Sequence, residues 1–584
     1  MRIERKLSDY INSAKSLQPN QFGKKIRLAI LSSFTLNGLE ETLRVKCSEI
    51  KVDCNTYVAA YNQYSQEILN PKSNLYKFSS DICFLILDGR TLLGNFHYFP
   101  YSSTLLERKK FIENKYIELT DLIKKFTNES KSKLVLTSFT IPTFSPYGIY
   151  ETKVEYGLQD MVNDLNSRLN EFIKDQESVY FYDFNGFVTR YGENNVFNYR
   201  QFFFGDIKIS IDYIPYLAHS LISYVKAVLG LSKKCVVVDL DNTLWGGVVG
   251  EDGFEGIRVG PTVDGKPFLE FQKILLSLHQ RGIILAINSK NNLEDAMQVI
   301  REHPDMILRE EHFASLKINW NDKVTNMKEI ASELNIGLDS VIYFDDDPVN
   351  REFVRLNLPE VLTIDLPNDS SQYALMLMEM NDFDQLNITE DDTKRGNMYL
   401  QQKKRMDLQS STTNLEDFLK QLDISIKIKK ADKFTVPRIS QLTLKTNQFN
   451  LTTHRYQEED IKKMLEDKMT FVGCAQVEDK FGDNGITGVF IVNKENKESW
   501  SIDTFLLSCR VMGRGVEDGI MSHILQRARD EGAKRVTGQH IPTKKNKPCE
   551  NFLSDFGFKR EGDLWVYSLG NPIKMPEHVK VIIE

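Results

Sequence analysis

The sequence predicts a multidomain α/β protein, and three observations carry that expectation. At 584 residues the chain exceeds what one hydrophobic core organises. Short, β-branched apolar runs such as Cys235–Val238 alternate with longer amphipathic stretches. Several of these runs open into polar residues, as interior parallel strands do at the carboxyl edge of a sheet.

Composition narrows the class. Hydrophobic residues make up 41% and charged residues 27%, and no stretch approaches eighteen consecutive apolar residues, so a globular chain without a membrane span is expected. Residues 1–10 mix both charge signs and lack the apolar segment of a signal peptide. Seven cysteines, scattered, odd in number and without a C-x-x-C pair, argue against a disulfide framework or a zinc site; a reducing cytoplasm is expected. The net charge of −7 gives no general nucleic-acid footprint. Short basic clusters at 427–433 and 544–547 suit an acidic protein partner or are simply solvated faces.

Taken in order, residues 26–31, 81–87, 133–137 and 179–183 read as strands, with helices from about Leu39, near 104–126 and near 156–175. Residues 1–225 are therefore one α/β domain. A helix at 216–229 leads to a second unit, 226–370, with strands 235–238, 283–287 and 340–344 and helices near 267–281, 291–303 and 323–335. Residues 371–421 read as a charged helical connector, with Thr389 as an N-cap before an acidic first turn. The third unit, 422–584, has strands at 424–429, 470–477, 486–493, 500–508 and 534–539, and a last one at 563–568. Its helices fall near 434–445, 457–467, 516–531 and 546–556.

The densest chemistry lies in the second unit. The strand 235–238 ends in Asp239, Asp241 and Thr243, two carboxylates and a hydroxyl at alternate positions. The strand 283–287 ends at Asn288 and Ser289, a hydroxyl beside a helix N-terminus where a phosphate oxygen can be held. Lys323 begins a helix, and the strand 340–344 runs into Asp345, Asp346 and Asp347. A carboxylate approaches a phosphate dianion only if cations neutralise it, so this mixture of charges suits phosphoryl transfer.

These four pieces resemble the motifs of the haloacid dehalogenase (HAD) superfamily. The resemblance implies that Asp239 attacks phosphorus and Asp241 shuttles the proton. It further implies that Thr243, Ser289 and Lys323 hold the phosphate, and that Mg²⁺ is bound by Asp239, Asp241 (through its carbonyl), Asp345 and Asp346. Only about 45 residues separate Thr243 from Ser289, too few for a cap domain, so an open site is expected.

In the third unit, Arg510, Gly513, Arg514 and Gly515 form R-x-x-G-x-G between a strand and a helix. Glycines permit close backbone approach, and amides at a helix start bind phosphate. The pattern resembles the pyrophosphate loop of GCN5-related acetyltransferases (GNAT) and implies a phosphopantetheine site at these four residues. Cys509 is either a small core residue or, beside Arg510 and Arg514, a thiolate of lowered pKa. The polar run 445–453 either lines the acyl site or is an ordinary capped loop.

Together with Ile318-Asn319-Trp320-x-x-Lys323 and the runs 445–453 and 507–517, the HAD motifs resemble the FkbH-like family. That resemblance implies an SGNH-hydrolase-like domain over 1–225, a capless HAD domain and a GNAT-like domain. The implied activity is a Mg²⁺-dependent phosphatase coupled to glyceryl transfer, from 1,3-bisphosphoglycerate to the phosphopantetheine of an acyl carrier protein, with Cys509 or the carrier thiol as acyl acceptor. The first strand ends in Ser32-Ser33-Phe34 and lacks the Gly-Asp-Ser nucleophile motif, and only His219 stands near the helix 216–229, so the N-terminal domain is expected to be non-catalytic. Two other readings stand beside this one: a HAD phosphatase acting on a small phosphorylated metabolite, and a non-catalytic carrier-protein docking scaffold.

Overall fold

A computed structural model describes residues 4–388, 401, 405, 408 and 414–584. It has two compact units, Met1–Val225 and Lys226–Glu584. The expected Thr389 cap lies outside the described residues. Among those described, no helix is long and apolar enough to cross a membrane, and all seven cysteines are free thiols.

The first unit is a parallel five-stranded sheet of β1 (Lys24–Ser32), β2 (Val52–Val58), β3 (Ile82–Ile86), β4 (Lys133–Thr137) and β5 (Val179–Tyr182), ordered β2-β1-β3-β4-β5. Strands β3 and β4 are buried at every position, as helix-covered interior strands must be. β2 escaped the sequence reading: it is an edge strand, Val-Asp-Cys-Asn-Thr-Tyr-Val, without a continuous apolar run. The helix Leu105–Glu129 starts at a capping box, in which Thr104 accepts from the Glu107 N–H and Glu107 from the Thr104 N–H.

The second unit opens with another parallel sheet, formed by β6 (Cys235–Val238), β7 (Ile284–Ser289), β8 (Phe313–Ile318), β9 (Val341–Asp345) and β10 (Leu362–Asp365). Its order is β10-β9-β6-β7-β8, so the direction of winding switches between β6 and β9. Ligands of doubly wound sheets sit outside the carboxyl ends of the strands at such a point. β8 and β10 were not foreseen; both are edge strands with only partly buried faces. Tyr373, Leu377 and Phe383, from the segment read as connector, pack into the core of this sheet with Phe271 and Phe344.

The rest of the second unit is a mixed nine-stranded sheet. Its strands are β11 (Ile424–Lys430), β12 (Phe449–Asn450), β13 (Thr470–Asp479), β14 (Gly482–Lys494), β15 (Ser499–Leu507), β16 (Arg535–Gly538), β17 (Lys559–Glu561), β18 (Leu564–Ser568) and β19 (Val579–Ile583). The main order is β17-β18-β16-β15-β14-β13-β11-β19. The strand expected to be last is therefore not last: β19 follows it and pairs in parallel with β11. β15 pairs with β16 only over Ser499–Ser501; farther along, Leu506 and Leu507 pair with β12 instead. The run 445–453 thus contributes a strand to the gap where β15 and β16 diverge. Asn546 fixes it from the other side, its Nδ2 donating to the Asn450 carbonyl at 3.0 Å.

The β13–β14 turn is held by Asp479. Its carboxylate accepts from Arg405 Nε at 2.6 Å and Nη2 at 2.8 Å, and from the Phe481 N–H at 3.0 Å. Both side chains of the ion pair are 1% exposed. Removing one partner of such a pair leaves a buried charge uncompensated. Asp479→Ala is therefore expected to cost about 3–5 kcal/mol, read as a lowered midpoint in urea unfolding; a loss within the range of surface substitutions would contradict this role for the pair.

Candidate functional site

Strand register assembles the acidic site. Val238 of β6 lies opposite Ile287 of β7 and Phe344 of β9, so the residues that follow them, Asp239, Asn288 and Asp345, emerge together at the carboxyl edge. The Lys323 ammonium fills the space between them. It lies 2.9 Å from Asp239 Oδ1 and 3.0 Å from Asp345 Oδ2, and donates to the Asn288 carbonyl at 2.8 Å. The ammonium thus faces three oxygens, two of carboxylates and one of a backbone carbonyl. Lys323 is the first residue of the helix Lys323–Glu333, where a cation opposes the helix dipole. The neighbouring carboxylates offset that, and Asp322 caps the helix by accepting from the Thr325 N–H at 2.9 Å.

The remaining side chains orient the cluster. Both Asp345 oxygens are engaged: Oδ1 accepts from the Asp347 N–H at 2.9 Å, and Oδ2 accepts from the Tyr343 hydroxyl as well as facing Lys323. Arg351 donates to the Asp345 and Asp346 carbonyls at 2.8 and 2.6 Å, fixing the loop. Asp241 accepts at Oδ1 from Trp245 Nε1 and the Val249 N–H, and at Oδ2 from Asn291 Nδ2. Asn291 also donates to Ser289 Oγ at 3.2 Å. Tyr343, Asn291, Trp245 and Arg351 were missed by the motif reading. Trp245 and Asn291 lie beside motif residues, but only the folded chain shows where their donors point.

Thr243 requires a correction. Expected to touch phosphate, it is fully buried, and its hydroxyl accepts the Asp346 N–H at 3.0 Å, tying the first acidic loop to the second.

The electrostatics leave room for a cation. Ligand oxygens of Asp239, Asp345 and Asp346 all lie within 4.8 Å of one another. Burial raises the Asp239 pKa, with Asp345 adding to it and Lys323 opposing. Burial, Asp239 and Asp345 push Asp346 up to about 6. One ammonium among three carboxylates leaves a surplus of negative charge on hard oxygen donors, the donor chemistry of Mg²⁺. Asp241 lies nearby, but its carboxylate is turned to Trp245 and Asn291.

The glycine loop of the third sheet is arranged differently from expectation. Gly513 and Gly515 have φ of 70° and 79°, the left-handed region that favours glycine, and a Cβ on Gly515 would meet His578 Nε2 at 2.7 Å. The Gly513 N–H, expected to face a phosphate, donates to Glu517 Oε1 at 3.1 Å. Arg514 Nη1 lies 3.6 Å from Asp479, on the internal ion pair. The chain's own carboxylates thus occupy the anion positions of this loop.

Cys509 also departs from the lowered-pKa reading. Burial raises its pKa, and Lys234 and Arg510 only partly oppose that; Arg514, assigned to help, is turned to Asp479. Cys509 does line a cleft of about 390 Å³ between the parallel sheet and the mixed sheet, with Lys234, Arg438, Lys445, Arg510 and Lys545 against Asp339 and Glu360. Lys234 precedes β6 and Asp239 follows it. At about 3.3 Å per residue the strand separates them by roughly 16 Å.

In the first unit, Ser32 Oγ accepts from the Phe34 N–H at 3.1 Å and Ser33 Oγ from the Asp88 N–H at 2.8 Å. His219 Nδ1 faces Glu4 at 3.5 Å.

Comparison with known proteins follows this geometry. Residues 27–226 match the model of the FkbH N-terminal domain, so the FkbH-like resemblance holds there. The chain is similar to the crystal structure of the N-terminal part of the protein BF1531 from Bacteroides fragilis, which contains a phosphatase domain complexed with Mg. The two are 28% identical with a TM-score of 0.61, over 66% of this chain and 100% of that one. A putative GNAT-family acetyltransferase from Desulfovibrio desulfuricans matches 25% of this chain and 99% of its own, at 10% identity and a TM-score of 0.21. Rv2747 from Mycobacterium tuberculosis, in complex with CoA and NLQ, matches 23% of this chain and 72% of its own, at 20% identity and a TM-score of 0.19. No curated protein matches.

Glu517 gives a test of the loop. Burial, with Asp518 adding to it, pushes its carboxyl from 4.5 up to about 7, against the Gly513 amide and Arg514. A carboxyl raised on folding contributes stability that is complete below pH 4.5 and is lost as pH rises to about 7. Glu517→Gln removes that loss. The variant's Tm relative to the parent should therefore climb between pH 4.5 and 7 and level off above; a flat difference would place the carboxylate in solvent.

Proposed function

We propose that the chain is a Mg²⁺-dependent phosphatase that also transfers an acyl group, with a phosphoglyceryl acyl phosphate, 1,3-bisphosphoglycerate, as donor and an acyl carrier protein as acceptor. The observation that carries the phosphatase half is the Lys323 ammonium seated between Asp239 and Asp345 at the point where the sheet changes direction. The likeness to a phosphatase domain complexed with Mg supports the same half.

Asp239 is the nucleophile in this reading: a carboxylate oxygen bonds to phosphorus as the P–O bond to the substrate breaks, giving a phosphoaspartate. Asp241 gives its proton to the departing alkoxide and takes one from the water that hydrolyses the phosphoaspartate. Asn291 and Trp245 hold Asp241 for both steps. Lys323 keeps Asp239 close to Asp345 despite their like charge. Asp239, Asp345 and Asp346 would hold Mg²⁺, which supplies further neutralisation of phosphate charge.

The acyl half needs a thiol. An acyl phosphate is already activated: attack by Cys509 or a carrier thiol forms the C–S bond, breaks the C–O bond to phosphate, and releases phosphate as the thiol proton passes to solvent. The raised pKa of Cys509 requires that proton to leave during attack. Because the cleft and the acid cluster lie at opposite ends of β6, acyl transfer and removal of the second phosphate are separate steps at separate places.

Asp239→Asn should leave the fold intact and lower Mg²⁺-dependent phosphate release by at least about 10³-fold. Cys509→Ala should retain phosphate release while losing the glyceryl adduct on the enzyme, read by intact mass. Full phosphatase activity in Asp239→Asn would refute the phosphatase assignment, and unchanged carrier loading by Cys509→Ala would transfer the acyl-acceptor role to the carrier thiol.

A further inference from the structure

The first unit carries a cavity that neither the phosphatase nor the acyl-transfer chemistry uses. Its sheet order, β2-β1-β3-β4-β5, changes the direction of winding between β1 and β3, and doubly wound sheets take ligands outside the carboxyl ends of the strands at such a point. The cavity lies there. Arg90 follows β3 and Thr140 follows β4, and both line it; Ser33, after β1, accepts the Asp88 N–H at 2.8 Å, which ties the ends of β1 and β3 together. The volume is about 100 Å³, roughly that of three waters at about 30 Å³ each, which suits the polar head of one small molecule.

Two opposite charges line this cavity and pair with no other charge. Lys208 is not one of them: it pairs with Asp88, whose Oδ2 also accepts from the Thr91 N–H and hydroxyl, each at 2.8 Å. Arg90 makes no hydrogen bond or ion pair among the described residues. Its guanidinium carbon lies 5.1, 5.0 and 5.6 Å from the ring centres of Tyr98, Phe202 and Phe203, and these cation–π contacts hold the fork in place. Glu193 accepts from the Thr143 hydroxyl at 2.5 Å and forms no ion pair among the described residues. Both charges act on His97: burial lowers its pKa, Arg90 adds to that, and Glu193 opposes it, so the imidazole is neutral at pH 7. Its Nδ1 is buried without a hydrogen-bond partner among the described residues.

Half-buried charges beside aromatic walls cost free energy unless a counter-charge meets them. A carboxylate fits the planar fork of Arg90, and an ammonium fits Glu193. Leu93, Phe144 and Phe197 supply apolar wall for what joins the two. A single small molecule meets both charges only if it carries both of the opposite sign.

We infer that this cavity is a binding site for a zwitterion, an α-amino acid held by its carboxylate at Arg90 and by its ammonium at Glu193. Neither Ser32 nor Ser33 lines it, so the amino acid is bound and not attacked. The site contains neither the acid cluster nor Cys509, so occupancy is read without turnover.

Calorimetric titration of the full-length protein with each of the protein-forming amino acids, up to about 10 mM, tests this. At least one should bind with a Kd below about 1 mM. Arg90→Gln and Glu193→Gln should each weaken that amino acid at least about tenfold, roughly 1.4 kcal/mol. Its decarboxylated amine and its deaminated acid should bind the parent protein more weakly by a similar factor. Glutamine at 193 keeps an acceptor for Thr143, and Arg90 has no hydrogen bond to lose, so both variants should fold. Binding of no amino acid in this range, or binding unchanged in both variants, would overturn the inference. Equal binding of the deaminated acid, indifferent to Glu193→Gln, would also overturn it by reducing the cavity to a carboxylate site.

Discussion

The acidic site depends on one ammonium group. Three carboxylates, from Asp239, Asp345 and Asp346, converge in an interior that penalises each as an ion. Without a cation among them, the strand ends would be driven apart or protonated. Lys323 pairs with two of them and donates to a backbone carbonyl, at a helix start that would otherwise disfavour positive charge. The sheet order, the Asp322 cap and the clamp from Arg351 serve to keep that contact in place. The remaining negative charge on hard oxygen donors suits a further cation.

The R-x-x-G-x-G turn of the mixed sheet has both glycines in the left-handed region, with Glu517 on the Gly513 amide and Arg514 turned to Asp479. β12 closes the gap in the sheet. What remains open is the cleft behind it, where Cys509 meets the cations of both sheets. A strand of four residues, β6, lies between the cleft that Cys509 lines and the acid cluster.

Most of this fold was legible because interior strands are written as continuous apolar runs. β6, β7 and β9 were found that way, and three of the four motif pieces at their ends followed, while Lys323 was found as the start of a helix. Most of the strands that were missed are edge strands: β2, β8, β10 and β17 lack a continuous apolar run, β12 is only two residues long, and β19 lies beyond the segment read as the last strand. Site residues were legible where a motif named them and illegible where only the fold shows what their donors reach, as with Tyr343, Asn291 and Arg351. Thr243 was misread because an exposed and a buried hydroxyl look the same in sequence. The lowered-pKa reading of Cys509, one of two the sequence leaves open, fails for a related reason: its neighbours' charges are visible in sequence, but its burial and the turning of Arg514 toward Asp479, 35 positions earlier, are not.

If Asp239 is the nucleophile, it becomes covalently phosphorylated during turnover. Rapid acid quenching of the full-length protein with Mg²⁺ and 3-phosphoglycerate, followed by peptide mass mapping, reads this directly. The expected result is a transient gain of one phosphoryl group on the peptide containing Asp239, appearing before free phosphate reaches its steady rate. Steady phosphate release with no adduct at any time, or with the phosphoryl group on a residue other than Asp239, would contradict it.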